Sequence, residues 1–234
     1  MQPQSSYAYY DKIYSFKDYK TEVEKLLTFM PAEFRTGKTT MLDVACGTGG
    51  HLKYLKKHFD VQGLDISPEY LTAARQKFPK IKFHQADMCD FELHQTFDVI
   101  TCLFSSIGYV RTLENLQKAV ACFYKHLNTP GLLILEPWFI PAQWKPNRTY
   151  AVLSDEPELK IARVNTSFQK DKISWFDMHF LIGTPEGTEH FVEHHELGLF
   201  EIEEILKVLS ETGFSAQYDE EGITGRGLYV GEKK

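Results

Sequence analysis

From Thr40 onward, short apolar runs alternate with stretches in which apolar residues recur at helical spacing. Thr40 to Ala45 (TMLDVA) is a compact apolar run, and a glycine-rich stretch separates it from His51 to His58, where Leu52 and Leu55 repeat three apart. The pattern predicts a strand, a tight turn and a helix. Val61 to Asp65 reads as a second strand, and Ser67-Pro68-Glu69 opens a helix, with serine as cap and proline in the first turn, that runs to about Phe78. Further strands are expected at Ile81 to His84, Phe97 to Leu103 and Gly131 to Glu136, with a helix from about Thr112 to Leu127 before the last. Repeated strand and helix predicts an α/β fold, a doubly wound Rossmann-like parallel sheet.

At Ile140 the pattern changes. Pro141, Pro146 and Asn147 mark a loop, and period-two alternation follows near Ile161 to Phe168, Ile173 to Ile182 and His190 to Leu199. Gln169-Lys170-Asp171-Lys172 and Pro185-Glu186-Gly187 sit at the reversals, so this stretch predicts a small antiparallel β-sheet. The helical pattern resumes over Phe200 to Thr212, ended by Gly213, with closing strands at Phe214 to Tyr218 and Gly227 to Val230. Residues 1–139 and 200–234 thus read as one core with an N-terminal lid, and 140–199 as an insertion that roofs it.

Composition narrows the class. The 234 residues are 43% hydrophobic and 25% charged, as expected of a soluble globular protein. The 26 basic residues are scattered against 32 acidic ones, a net charge of −6, which argues against a nucleic-acid partner. The longest apolar run, Gly131 to Phe139, is too short to span a bilayer and is broken by Glu136 and Pro137. No membrane span is expected. The opening Met-Gln-Pro-Gln-Ser-Ser-Tyr lacks an export pattern, so a cytoplasmic location is expected. Cysteines 46, 89, 102 and 122 form no CxxC pair, and they are expected to be buried free thiols rather than disulfides or metal ligands.

The chemistry concentrates in Asp43-Val44-Ala45-Cys46-Gly47-Thr48-Gly49-Gly50, between a strand and a helix. Glycines there let the backbone approach a ligand, and free N–H groups suit a polar or anionic group. Eighteen residues after Gly47, Asp65 ends the second strand, where a carboxylate can accept both hydroxyls of a ribose. NAD and S-adenosyl-L-methionine both fit to this point. Leu52 breaks the dinucleotide GxGxxG, and a third acidic residue, Asp87 in Gln85-Ala86-Asp87-Met88, is placed to receive an adenine amino group. By itself Asp87 reads as a turn residue or helix cap, and it is the order Asp43, Gly47, Gly49, Asp65, Asp87 that favours the adenine contact.

With the motifs LDVACGTG, GLDIS and QADM in this order, the chain resembles the class I S-adenosylmethionine-dependent methyltransferases over about Thr40 to Glu136. The resemblance implies S-adenosyl-L-methionine as cofactor, with Gly47 and Gly49 at its methionine end, Asp65 at the ribose, and Asp87 and Met88 at the adenine. Ala45, Ile66 and Leu103 join this set. A closer resemblance covers nearly the whole chain. It is to the N,N-dimethyltransferases that finish the nucleotide-linked deoxyamino sugars of macrolides, and it is carried by Tyr10-Asp11, Lys17-Asp18-Tyr19, His51-Leu52, FSSIGY (Phe104 to Tyr109), EPW (Glu136 to Trp138), Leu199-Phe200 and GRGL (Gly225 to Leu228). It implies an antiparallel sheet over the active site, a homodimer, Tyr19 and Ser106 at the cofactor, and Ser105, Trp138 and Arg226 at the substrate. The insertion between Phe139 and Leu199 matches poorly.

Methyl transfer from a sulfonium needs alignment more than a strong base. An amine of pKa about 8 is roughly 10% neutral at pH 7, so a phenol that merely holds it suffices. Tyr10, Tyr14 and Tyr109 are the candidates for that role, and His179, His190, His194 and His195 are secondary ones. Glu193 to Glu196 is not expected to bind metal, because neighbouring strand residues face opposite sides. Arg226 suits a diphosphate, since its guanidinium makes paired hydrogen bonds to oxyanions. Against a net charge of −6, an anionic sugar nucleotide would require basic groups gathered near it. Methylation of oxygen or carbon in another small molecule, and a non-catalytic cofactor-binding module, stay open as alternatives.

Overall fold

The computed structural model describes residues 6–234. Residues 1–5, on which the expectation about export partly rests, lie outside this range. After a 3-10 turn at Ser6–Tyr9 come a single helical turn, Tyr10–Ile13 (α1), and a helix, Tyr19–Thr28 (α2), whose first N–H groups are capped by the Asp18 carboxylate. The core follows as Thr40–Val44 (β1), Leu52–Leu55 (α3), Asp60–Asp65 (β2), Pro68–Lys77 (α4), Lys82–Gln85 (β3), Phe97–Cys102 (β4), Leu113–Lys125 (α5) and Leu127–Leu135 (β5). A separate four-stranded sheet is built from Thr149–Glu156 (β6), Leu159–Lys170 (β7), Ile173–Thr184 (β8) and Gly187–Gly198 (β9). The chain then returns to the core through Ile202–Thr212 (α6), Ser215–Asp219 (β10) and Leu228–Lys233 (β11).

The core sheet has seven strands in the order β10-β11-β5-β4-β1-β2-β3. Strands β1 to β5 pair in parallel, while β11 lies antiparallel to both β5 and β10. The doubly wound α/β expectation holds. Sequence order reverses between β1 and β4, and at that switch point the loops following the two strands diverge and leave a crevice. Alternation of side chains sends Leu42, Val44, Leu133 and Leu135 to the face covered by α5 and α6, and Met41, Leu132 and Ile134 to the face covered by α2, α3 and α4.

Two expectations need correction. The inserted sheet was expected to have three strands and has four. Its first strand, β6, is an edge strand with no fully buried residue, so its sequence lacks the apolar alternation by which the other three announce themselves. The helix expected over His51 to His58 is only Leu52–Leu55 long. Lys57 and His58 donate to carbonyls three residues back, a tightened turn that brings the chain round to β2. Helix α2 was not anticipated, although Val23 and Leu26 form its buried stripe. All four cysteines are free, but only Cys102 is fully buried. Among the described residues, no helix is long and apolar enough to cross a membrane.

Tryptophans join the inserted sheet to the core: Trp138 Nε1 donates to Ser174 Oγ at 3.0 Å and Trp144 Nε1 to the Phe168 carbonyl at 3.1 Å. The N-terminal segment lies between the two sheets. Ile13 packs into the inner face of the inserted sheet against Ile161, Phe180, Ile182 and Phe191, and Ser6 donates from its backbone N–H and Oγ to Glu193 at 2.6 and 2.9 Å.

Candidate active site

The glycine turn after β1 makes the floor of the crevice. Ala45, Gly47 and Gly49 all have positive φ, the conformation in which glycine costs least. A Cβ on Gly47 would meet nothing within 4 Å, whereas one on Gly49 would sit 2.7 Å from the Phe78 ring, and Gly49 N–H is already given to the Cys46 carbonyl. Gly47 therefore opens its backbone to the crevice. Gly49, expected at the cofactor's methionine end, also lets the turn pack on the end of α4.

Asp65 ends β2 with one oxygen accepting from Gly47 N–H at 2.7 Å and the other from Ser67 N–H at 2.9 Å. Each oxygen keeps a further lone pair, as a ribose diol requires. Burial pushes this carboxyl up from the ordinary carboxylate range, against the pull of its backbone donors. Next to it Ile66 is 64% exposed, an apolar side chain placed to cover a flat ring. Asp87 is exposed at the tip of the turn after β3, where one oxygen accepts from Cys89 N–H at 2.8 Å, so the turn role and a second free oxygen coexist. Met88 lies beside it, half-buried.

A narrow cavity at the switch point is lined by Tyr10, Tyr19, Asp43, Ala45, Gly47, Leu103, Phe104 and Ser106. Asp43, wholly buried and bonded to Thr101 Oγ1 at 2.8 Å, is pushed up to about 6 by desolvation, with Asp65 adding repulsion. Beside it a buried chain of charge runs from Lys17 through Glu22 to His51, at 2.5 and 2.8 Å. Tyr19 folds over this end so closely that a Cβ on Gly50 would come within 2.5 Å of its ring. Asp11 closes the lid from the other side, accepting from Thr48 Oγ1 at 2.8 Å and pairing with Lys77. The larger concavity of the surface, lined by Glu33, Lys38, Asp98 and Asn128, is at the opposite end of the strands. There Asp98 is already satisfied by Thr40 and Asn128.

Tyrosines line the crevice above the cavity. Tyr10 contacts Tyr14 at 4.6 Å and Tyr70 at 5.2 Å between ring centroids, and Tyr14 meets Phe104 edge-on at 5.5 Å. Burial raises the hydroxyls of Tyr10, Tyr14 and Tyr19, so these are neutral phenols at pH 7 that offer a hydroxyl and a ring face to a ligand. Tyr109 is 49% exposed, and its hydroxyl lies 2.9 Å from His195 Nδ1. Electron-rich rings in a partly desolvated site favour a cationic ligand.

The substrate set is redistributed. Ser105 is 2% exposed with its hydroxyl committed, donating to the Pro137 carbonyl at 2.6 Å and accepting from Arg226 Nη1 at 2.8 Å. It positions Arg226 instead of lining the crevice. Arg226 forms no ion pair among the described residues, and its guanidinium lies 5.3 to 5.9 Å from the rings of Phe104, Trp138 and Phe139. Trp138 supports this arginine and the joint between the two sheets. His179 faces the wrong way. It is exposed on the outer face of the inserted sheet beside His190, because Arg163, Phe180, Glu193 and His195 have the parity that points inward. His194, also of outward parity, is bonded to Asp177 at 2.6 Å. Glu136, Arg163 and Glu193 were missed. Only Arg163 and Glu193 had a usable signal, a charge at an apolar position of an alternating strand.

This fold and crevice define a class I methyltransferase site, and comparison with known proteins agrees. The family described as a methyltransferase domain matches residues 41–131. The dTDP-3-amino-3,4,6-trideoxy-alpha-D-glucopyranose N,N-dimethyltransferase of Streptomyces venezuelae is 36% identical over 92% of this chain and 91% of its own. The dTDP-3-amino-3,6-dideoxy-alpha-D-glucopyranose N,N-dimethyltransferase of Streptomyces fradiae is 33% identical over 92% of this chain and 85% of its own. The crystal structure of Streptomyces venezuelae DesVI covers 99% of both chains at 34% identity, with a TM-score of 0.90. The chain belongs to the S-adenosylmethionine-dependent methyltransferases and, within them, to the family of these amino-sugar N,N-dimethyltransferases. It is an S-adenosylmethionine-dependent N-methyltransferase.

Removing the Asp65 carboxylate should weaken donor binding about ten- to a hundredfold, the loss of a charge-assisted pair of hydrogen bonds. Calorimetry of Asp65→Ala against wild type measures this. A second expectation concerns pH. With a carboxyl near 6, Asp43 is mostly ionised at pH 7 and mostly protonated at pH 5, so affinity for the cationic donor should fall as pH drops through that window. Titrating Asp43→Asn at the same pH values should show a flatter dependence.

Proposed function

We propose that the enzyme transfers methyl from S-adenosylmethionine to the amine of a nucleotide-linked deoxyamino sugar, once or twice, as a cytosolic homodimer. The observation that carries the reading is Arg226: a guanidinium at the crevice rim, cradled by three aromatic rings, bonded only to Ser105 and unpaired with any carboxylate among the described residues. An anionic acceptor supplies its missing counter-charge. The relatives' names, dTDP-amino-sugar N,N-dimethyltransferases, support the same acceptor class.

The donor, when bound, supplies an electrophilic methyl on sulfur. Asp65, Ile66, Asp87 and Met88 would hold its nucleoside end, and the Gly47 backbone, Ala45, Tyr19, Leu103, Ser106 and Asp43 would hold its methionine end. Tyr10, Tyr14 and Tyr109 then hold the acceptor. His195 Nδ1 lies 2.9 Å from the Tyr109 hydroxyl and, in the tautomer that carries its proton on Nε2, accepts from it. Tyr109 oxygen is then oriented to receive a hydrogen bond from an amine. The lid of tyrosines excludes water, and residues 140–199 select the acceptor.

The outer face of the inserted sheet supports the dimer. Leu153 is 74% exposed, and Val164, Leu181 and Val192 are each about half exposed on the same face, an apolar patch of the kind a second copy covers.

Incubating the enzyme with labelled donor and a panel of amino-sugar nucleotides, amines, alcohols and carboxylates should give labelled N-methyl product from the amino-sugar nucleotides, with KM raised at least tenfold in Arg226→Gln. Transfer only to an oxygen or carbon acceptor would refute the reading. Leu181→Lys combined with Val192→Lys should shift the sedimentation coefficient from dimer to monomer while leaving the folded-state circular dichroism unchanged.

A further inference from the structure

We propose that Arg163, on the inner face of the inserted sheet, is a second anion-binding group that grips the diphosphate of the acceptor from the side opposite Arg226. The proposal rests on the nucleotide-sugar reading above and names a residue that the reading does not require.

Arg163 is only 9% exposed, and a guanidinium drawn out of water without a counter-charge is costly. The other buried cation near the crevice obeys this rule, since Lys17 is held by Glu22. Arg163 does not. Among the described residues its one hydrogen bond runs from Nη1 to the Tyr14 hydroxyl at 3.1 Å, its Nε is buried without a partner, and it forms no ion pair. Glu193, a carboxylate on the same inner face, is taken up by Ser6. A neutral phenol does not neutralise an arginine.

Position completes the argument. The Arg163 guanidinium lies 5.5 Å from the Tyr14 ring, the Tyr14 ring meets Phe104 at 5.5 Å, and the Arg226 guanidinium lies 5.9 Å from the Phe104 ring. Each guanidinium therefore lies beside one ring of the same aromatic pair, one arriving from the inserted sheet and one from the core. Both also act on the Tyr14 hydroxyl, lowering its pKa against the rise caused by burial. Each keeps N–H donors that no group among the described residues uses, and two planar forks suit two phosphoryl groups better than one. This is the local gathering of positive charge that a chain of net charge −6 needs for an anionic acceptor. A diphosphate bridging the two would also tie the inserted sheet to the core, so that substrate binding closes the site.

Thymidine diphosphate is the probe, with binding measured by calorimetry for wild type, Arg163→Gln, Arg163→Lys and Arg226→Gln. Each glutamine variant should raise the Kd for thymidine diphosphate about ten- to a hundredfold, Arg163→Lys should raise it less, and donor Kd should stay within about twofold in all of them. Retained donor binding shows that the variants are folded. The clamp is overturned if Arg163→Gln binds thymidine diphosphate as wild type does, or if it weakens donor and diphosphate equally, which would make Arg163 a support for Tyr14 alone. If wild type binds no thymidine diphosphate and methylates only nucleotide-free amines, the nucleotide-sugar reading fails first and the clamp falls with it.

Discussion

Glu136, 1% exposed, directly follows strand β5, and the upper half of the site hangs from it. One oxygen accepts from the Phe104 backbone N–H at 2.5 Å, the other from Thr224 Oγ1 at 2.6 Å. A buried carboxyl group must find donors or forfeit several kcal/mol, so the two loops that supply them are held together by necessity. The first loop carries Phe104 and Ser105, both at positive φ, and Ser106 after them, and the second carries Arg226. Trp138, two residues after Glu136, turns to support Arg226 and reaches up to Ser174. The aromatic pair, the arginine and the joint with the inserted sheet thus share one anchor.

The lid is held differently. Its polar contacts with both sheets are mostly near solvent: Lys12 with Glu156, Asp11 with Thr48 and Lys77, Ser6 with Glu193. Pairs of this kind are worth a fraction of a kcal/mol to about one each. The lid's apolar contacts are Ile13, buried at the inserted sheet with Tyr9 and Tyr14 packed beside it, and the rings of Tyr10 and Tyr14 against Tyr70 and Phe104. Donor exchange beneath the lid requires this aromatic packing to part, since each polar tie by itself is weak. The catalytic loops are thus held by a buried carboxylate and the lid by ring packing and individually weak polar ties.

How much of this was legible follows the same division. Strand, glycine turn and capped helix are local devices, and Asp65 and the Ser67-Pro68 helix start fell where the sequence pattern put them. Asp87 was also visible, though its side chain proved to serve its own turn as well. What stayed hidden depends on contacts between distant segments. Nothing near Glu136 in the chain says that it will bond to residues 104 and 224. Nor do the motifs that carry Gly49 and Ser105 say that Phe78 will pack against the one and Arg226 will bond to the other. Strand β6 was invisible because an exposed edge needs no apolar alternation.

His179 shows what one residue of offset means in the inserted sheet. Its two faces have opposite duties: Arg163, Glu193 and His195 on the inside are polar in a strand of apolar neighbours, while Leu153, Val164, Leu181 and Val192 on the outside are apolar where water would be expected. A slip of one residue would exchange the faces, placing leucines over the crevice and the buried arginine in solvent. The register is therefore a condition of function as much as of folding. It is pinned at the base of β7, where Ser167 donates from Oγ to the Lys145 carbonyl at 2.7 Å and its backbone pairs with Arg148 and Asn147. Trp144 N–H fixes the next residue, Phe168, at the joint with the core. Because these bonds end four to five residues from Arg163, the inserted sheet can vary in sequence along its outer edge while the residues that face the acceptor keep their places.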